Sequence, residues 1–117
     1  MDNVSEVAQA MLEELPTNRA WSHSLLVAGP RKCLLGARLS VAGVNLRDAT
    51  VVGSDHRMLF DDPYLLMLVR VAGEQYPDRM GGRGLVQQTV SFNDHVYTCY
   101  ADIRVVLEKT AAEATKG

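Results

Sequence analysis

Apolar residues at the start of the chain recur with the period of an α-helix. From Asn3 to Leu15 they fall three or four positions apart, and glutamates and a glutamine occupy positions between them. Asn3 and Glu6 form a capping-box pattern, because each side chain can accept a hydrogen bond from the backbone amide of the other residue. Pro16 then ends the pattern. Residues 1–16 are therefore predicted to form an N-terminal helix.

The segment 33–46 fits two periods. Alternating apolar residues from Leu35 to Val41 are typical of a strand, whereas a second set of positions fits a helix nearly as well. That set comprises Leu34, Leu35, Arg38, Leu39, Ala42 and Leu46. Upstream, residues 21–29 predict a short strand that ends at a Gly-Pro break. Periodicity alone leaves the state of residues 33–46 open.

The middle of the chain predicts a strand over residues 49–60. An Asp-Pro pair follows at positions 62 and 63 and allows two continuations. It could cap and start a helix at Tyr64, since proline suits the first helical turn, or it could turn into a strand over residues 64–72. Residues 74–84, with one proline and three glycines, predict a loop.

The end of the chain predicts a β-hairpin. The last strand is predicted over residues 96–108, because apolar and polar residues alternate from Tyr97 onward with one exception at Val106, which is typical of a half-buried strand. Residues 85–92 predict its partner, and an Asn-Asp pair between the two strands supplies a tight turn because both residue types tolerate positive φ. The small, polar residues 109–117 predict a flexible tail.

The composition is that of one soluble domain. The chain has 117 residues, and 12 basic against 14 acidic residues give a formal charge of −2. This near balance gives no electrostatic reason to expect nucleic acid or a membrane surface as a partner. No apolar run reaches membrane-spanning length and the N-terminus lacks signal-peptide features, so we expect a cytoplasmic protein. Cys33 and Cys99 are isolated and predict reduced, buried thiols, and no spacing suggests a metal site.

Two short motifs in the second half of the chain occur in a suggestive order. D-H-x-M-x-F-x-x-P covers residues 55–63 and G-R-G-L covers residues 82–85, ahead of the predicted hairpin. This order resembles the second half of the type II acyl-CoA thioesterases, which are double hot-dog enzymes. The resemblance implies an α+β protein, a single hot-dog domain over residues 1–117 with an antiparallel sheet wrapped around one central helix. Residues 33–46 would supply that helix beside an extra N-terminal one, and residues 64–72 would be a strand.

The resemblance also implies a ligand site. Asp55 would be the catalytic base that activates water against an acyl thioester. The family's hydroxyl residue and glutamine have no counterpart at the matching positions of this chain. The implied ligand-binding residues are Met58, Phe60 and Leu66 for an acyl chain, and Arg83 and Gly84 for the phosphates of coenzyme A.

The implied function is binding of an acyl thioester carried by coenzyme A or acyl carrier protein, with its hydrolysis left open, and with no cofactor and no metal. Because one hot-dog domain cannot complete such a site alone, the resemblance implies a homodimer. A second hypothesis is a non-catalytic hot-dog or cone-like protein that binds a small hydrophobic ligand or a protein partner, which the missing catalytic groups favour. A strand over residues 33–46 would favour the cone-like version.

Overall fold

The computed structural model describes residues 3–22, 27–28, 31–43 and 61–115. These ranges contain five α-helices and one short β-ladder. The helices are α1 (Val4–Glu14), α2 (Leu34–Val41), α3 (Pro63–Gln75), α4 (Leu85–Asp94) and α5 (Tyr100–Thr115). The ladder pairs β1 (Val27–Ala28) with β2 (Arg31–Lys32) in antiparallel orientation, and 3₁₀ turns cover Asn18–Ala20 and Pro77–Arg79.

The predicted α+β hot-dog fold is wrong. Among the described residues the two-residue ladder is the only sheet, so no antiparallel sheet wraps around a central helix. A cone-like fold would need the same kind of sheet. The segments predicted as a closing hairpin, 85–92 and 96–108, form most of α4 and α5 instead. α5 continues to Thr115 through most of the predicted tail, and the predicted strand over residues 49–60 lies outside the described ranges.

A helical face of α5 explains why the strand prediction failed. Ile103, Val106 and Leu107 are fully buried and Ala111 is nearly so, which is the i, i+3, i+4, i+8 spacing of an amphipathic helix. Val106, the residue that interrupted the alternating pattern, therefore lies in the core. Apolar residues at positions 103 and 107 satisfy both periods, which is why the segment also resembled a strand.

The other residues that a strand would have buried are exposed. Tyr97 is 75% exposed and Val105 is 40% exposed. Cys99 carries an exposed thiol, so the prediction of a buried one is wrong there. The prediction for Cys33 is confirmed, because this thiol is free and buried, and burial raises its pKa.

The N-terminal helix is confirmed together with its capping box. Asn3 Oδ1 accepts a hydrogen bond from the Glu6 amide at 2.8 Å, and Glu6 Oε2 accepts one from the Asn3 amide at 3.4 Å. The apolar stripe is buried as the helical period predicts, with Val7, Met11 and Leu15 each at most 3% exposed.

The two segments whose secondary structure periodicity left open both contain helices, α2 and α3. Residues 33–46 contain a helix, as the resemblance implied. Pro63 begins α3, so the strand that the resemblance favoured after it is wrong. The proline ring presets φ near the helical value. The backbone N–H of the first helical residue makes no hydrogen bond within the helix, so the missing N–H of proline costs nothing there. Leu65 and Leu68 are then buried on the inner face of α3.

The helices meet in one core. Met11 of α1, Leu68 of α3, Phe92 of α4 and Leu107 of α5 all belong to it, and none is more than 2% exposed. A smaller cluster joins α2 to the first turns of α3 and α4. Its members are Cys33, Leu35, Leu39 and Leu65, with the half-buried Leu85 and Val86 packed against them.

A buried amide, the Asn93 junction, ties α4 to the start of α2. Asn93 Oδ1 accepts hydrogen bonds from Trp21 Nε1 at 2.9 Å and from the Leu34 amide at 3.1 Å. Its Nδ2 donates to the Ser22 carbonyl at 3.2 Å. Asn93 is only 1% exposed, so these contacts replace the water that its amide gives up on folding.

A buried ion pair ties α2 to the start of α3. Arg38 Nε and Nη2 donate to the two oxygens of Asp62 at 2.7 and 3.2 Å, and the side chains are 9% and 5% exposed. The guanidinium also lies 4.6 Å from the centroid of the Tyr64 ring. Two parallel hydrogen bonds help to offset the desolvation of both charges.

Candidate functional site

The surface between α1 and α5 contains two adjoining shallow depressions. One has a volume of about 290 Å³ and is lined by Leu12, Glu13, Pro16, Tyr100 and Arg104. The other has a volume of about 340 Å³ and is lined by Ser5, Gln9, Leu12, Glu108, Ala111 and Ala112. The half-buried Leu12 lines both depressions, so together they form one feature, the α1–α5 groove.

Antiparallel packing of α1 and α5 creates this groove. Residues near the start of α1, such as Ser5, line it together with Ala112 near the end of α5, whereas Pro16 lies opposite Tyr100. Tyr100 Oη donates a 2.6 Å hydrogen bond to the Leu15 carbonyl, which fastens the start of α5 to the end of α1. Leu12, which lines both depressions, also packs against the core.

On the α1 side, the groove is lined by one charged residue, Glu13. α1 carries three glutamates and no basic residue. Glu14 is held by an ion pair with Lys32 and by a 2.9 Å hydrogen bond from Ser40 Oγ, and these contacts, Lys32 first, lower its pKa despite partial burial. Glu13 is exposed in the last turn of α1, where the helix dipole already places partial negative charge.

The α5 side of the groove is closer to neutral. Arg104 Nε lies 2.8 Å from Glu108 Oε1, one turn further along the same helix, and both side chains are more than half exposed. This hydrogen bond raises the pKa of the Arg104 guanidinium. The charged groups lining the groove are Glu13, Arg104 and Glu108, so its lining has one negative charge in excess.

The structure brings together two of the ligand-binding residues predicted from the sequence. Arg83 and Gly84 line a depression of about 340 Å³ at the start of α4, with Leu85, Val86 and Gln87. Gly84 is the N-cap residue and supplies no capping side chain. Leu66 is not part of this depression and is 59% exposed on α3, and its contact with an acyl chain stays a prediction.

The remaining predicted site residues are Asp55, Met58 and Phe60, and all three lie outside the described ranges. The prediction that Asp55 is a catalytic base therefore stays a prediction.

A polar cluster at the start of α5 has a structural role. Asp102 accepts hydrogen bonds from Arg79 Nη1 at 2.7 Å, from Tyr76 Oη at 3.2 Å and from the Cys99 amide at 3.2 Å. Burial alone would raise the Asp102 pKa, but these donors, Arg79 first, lower it overall. A carboxylate with a lowered pKa and several donors is a poor general base.

Sequence reasoning missed the residues of the groove for two reasons. Leu12 and Tyr100 come from opposite ends of the chain, and the alternating pattern predicts a strand at Tyr100. One signal was nevertheless visible, since Glu13 and Glu14 place two carboxylates at the C-terminal end of a predicted helix, where the dipole disfavours them.

In the described part of the chain, no group of three histidine, cysteine or acidic side chains could hold a metal ion. No helix within those ranges combines the length and apolar character needed to cross a membrane. The cytoplasmic location stays a prediction.

Comparison with family models, with curated proteins and with solved structures gave no match.

Proposed function

We propose that this chain is a non-catalytic interaction module that binds an amphipathic helix of a partner protein in the α1–α5 groove. The observation that carries the proposal is the pair of depressions on either side of Leu12, between two antiparallel helices. A helix that lays its apolar side chains into such a groove is a common mode of peptide recognition. The proposal develops the second sequence hypothesis, a binding protein for a protein partner.

The length of the groove suits a short helix. Its lining runs from Ser5 to Pro16, which corresponds to about 16 Å along α1 at the rise of an α-helix. That distance is about three turns, so a partner helix could place one side chain in each depression. Leu12 between the depressions would contact the partner residues that separate those two anchors.

The thioester hypothesis has less support than the interaction hypothesis. The sheet on which its site depends is missing from the described ranges, and its base, Asp55, lies outside them. General-base hydrolysis also benefits from a carboxylate that is shielded from bulk water, so that it activates a single bound water molecule. The carboxylates of the groove, Glu13 and Glu108, are exposed instead. The predicted homodimer stays a prediction, and a second copy is one occupant that the experiment below would reveal.

Two matched alanines of α5 provide the test. Ala112 lines the groove, whereas Ala101 lines neither depression, and both are exposed. Ala112→Arg places a long side chain in the groove at no cost in helix propensity beyond a few tenths of a kcal/mol. Ala101→Arg makes the same change on the same helix away from the groove.

The measurement uses a displayed library of helical peptides about three turns long, selected against the wild-type protein. Selected peptides should bind wild type and Ala101→Arg with equal affinity, and bind Ala112→Arg at least about tenfold more weakly. Sedimentation of each variant without peptide would detect a second copy in the groove, because Ala112→Arg would then dissociate a dimer that Ala101→Arg leaves intact. No selected peptide, or equal binding to all three proteins, would contradict the proposal.

A further inference from the structure

We infer that the depression beside Glu13 accepts a lysine or arginine side chain of the partner helix, so that the partner is a basic amphipathic helix. This inference rests on the proposed function, because it names the chemistry of the helix that would occupy the α1–α5 groove. It depends on three features of the depression, which are its lining, its charge and its contrast with the neighbouring depression.

The lining suits a long side chain with a charged end. Leu12, Pro16 and Tyr100 provide apolar surface for the methylene groups of a lysine or arginine. The face of an aromatic ring also attracts a cation, so Tyr100 can contribute beyond its apolar area. Its hydroxyl donates to the Leu15 carbonyl and also interacts with Arg104, so the ring is held among the lining residues of the depression.

The charge beside the depression favours a cation. Glu13 lies in the last turn of α1, where the helix dipole places partial negative charge. The Glu13 carboxylate and the C-terminal end of the α1 dipole therefore both contribute negative potential beside this depression. α1 offers no lysine or arginine of its own to neutralise them, and the basic partner that the end of α1 does have, Lys32, is bonded to Glu14.

Arg104 does not reverse this balance. It lines the same depression, but its Nε is 2.8 Å from Glu108 on α5. This depression is lined by Glu13 and Arg104, and Glu108 of the adjoining depression balances the arginine, so the groove as a whole keeps one negative charge in excess. A partner carboxylate at this position would face Glu13 and the dipole of α1, whereas a partner cation would complement both.

The second depression calls for a different anchor. Ala111 and Ala112 form one wall, Ser5 and Gln9 the other, and Glu108 at its edge is engaged with Arg104. Small and uncharged side chains predominate there, so an apolar anchor fits better than a charged one. The partner helix would therefore carry an apolar residue and a basic residue one or two turns apart on the same face.

The test extends the displayed library, which is built with equal numbers of lysine and glutamate codons at its variable polar positions. Peptides selected against wild type should be enriched in lysine at one position of the contact face. The variant Glu13→Lys should weaken their binding by about tenfold or more, because it places like charges opposite each other. Glu74→Lys is the matched control, since Glu74 is exposed in the last turn of α3 and lines neither depression of the groove.

A charge swap completes the test. A selected peptide with that lysine changed to glutamate should lose affinity for wild type and regain it on Glu13→Lys. Peptides that need Ala112 but bind Glu13→Lys as well as wild type would overturn this inference and leave the proposed function standing. Selection of acidic peptides would have the same consequence. Failure to obtain any peptide that needs Ala112 would overturn both.

Discussion

The surroundings of α2 and the α1–α5 groove use the same kinds of polar side chain in opposite ways. Around α2, the Arg38–Asp62 pair and Asn93 are buried, and their polar atoms are hydrogen-bonded to side-chain or backbone partners. In the groove, the Arg104–Glu108 pair is more than half exposed. A buried polar group that loses its partner has no water to replace it, whereas an exposed one does. The α2 region therefore maintains the fold, and the groove leaves its charges accessible to a partner.

The largest expected effect comes from the buried ion pair. Arg38→Met leaves the Asp62 carboxylate buried without its guanidinium and should lower the free energy of unfolding by about 3–5 kcal/mol, measured by urea denaturation. Arg104→Met removes the arginine of the exposed pair and should leave the urea midpoint almost unchanged. Similar losses in the two variants would break the contrast between the regions.

A double variant separates the charge from the packing. Arg38→Met combined with Asp62→Leu removes both charges, so it should recover most of the stability that Arg38→Met alone loses. If the double variant is no more stable than the single one, the loss comes from packing of the arginine side chain rather than from the unpaired carboxylate.

The Asn93 junction should give the next largest effect. Asn93→Leu removes the acceptor of Trp21 Nε1 and of the Leu34 amide and leaves two buried donors, at a cost of about 2–4 kcal/mol. Because Trp21 is the single tryptophan of the chain, its fluorescence reports both the stability and the local change. Asn18→Leu, at an exposed asparagine, should cost less than about 0.5 kcal/mol. A cost for Asn93→Leu no larger than that of this control would contradict the prediction.

Local signals allowed part of this fold to be predicted. The capping box of Asn3 and Glu6 and the apolar stripe of α1 depend on residues within a few positions, and both are confirmed. The last helix was missed because a short apolar set can satisfy two periods, and Val106 was the one position that separated them. Helical burial of Val106 beside Leu107 decided between the periods in the folded chain.

The candidate site was less accessible to prediction than the fold. Arg83 and Gly84 meet because they are neighbours in the chain. Leu12 and Tyr100 meet only because α1 and α5 pack in antiparallel orientation, which the pattern of either segment alone does not specify. A groove between distant helices becomes predictable only when the pairing of those helices is known.

The smallest expected effect is a pH dependence at the boundary between the two regions. Glu14 ends α1, and its carboxylate bonds Lys32 and Ser40 on the α2 side of the molecule. These contacts lower its pKa in the folded state. A lowered folded pKa means that the stabilisation is present above the unfolded pKa and is lost as the pH falls through the folded pKa.

Glu14→Gln should therefore be less stable than wild type at neutral pH, by up to about 1 kcal/mol because the pair is partly exposed. The difference should shrink as the pH is lowered from about 7 to about 3, across the ordinary glutamate pKa of about 4.3. Urea denaturation at each pH measures it, with Glu13→Gln at the neighbouring, exposed position as the control. A difference between wild type and Glu14→Gln that stays constant over this range would mean that the Lys32 ion pair adds nothing to stability. α1 would then be held to the α2 region by apolar packing and the Ser40 hydrogen bond, without a contribution from the charge of Glu14.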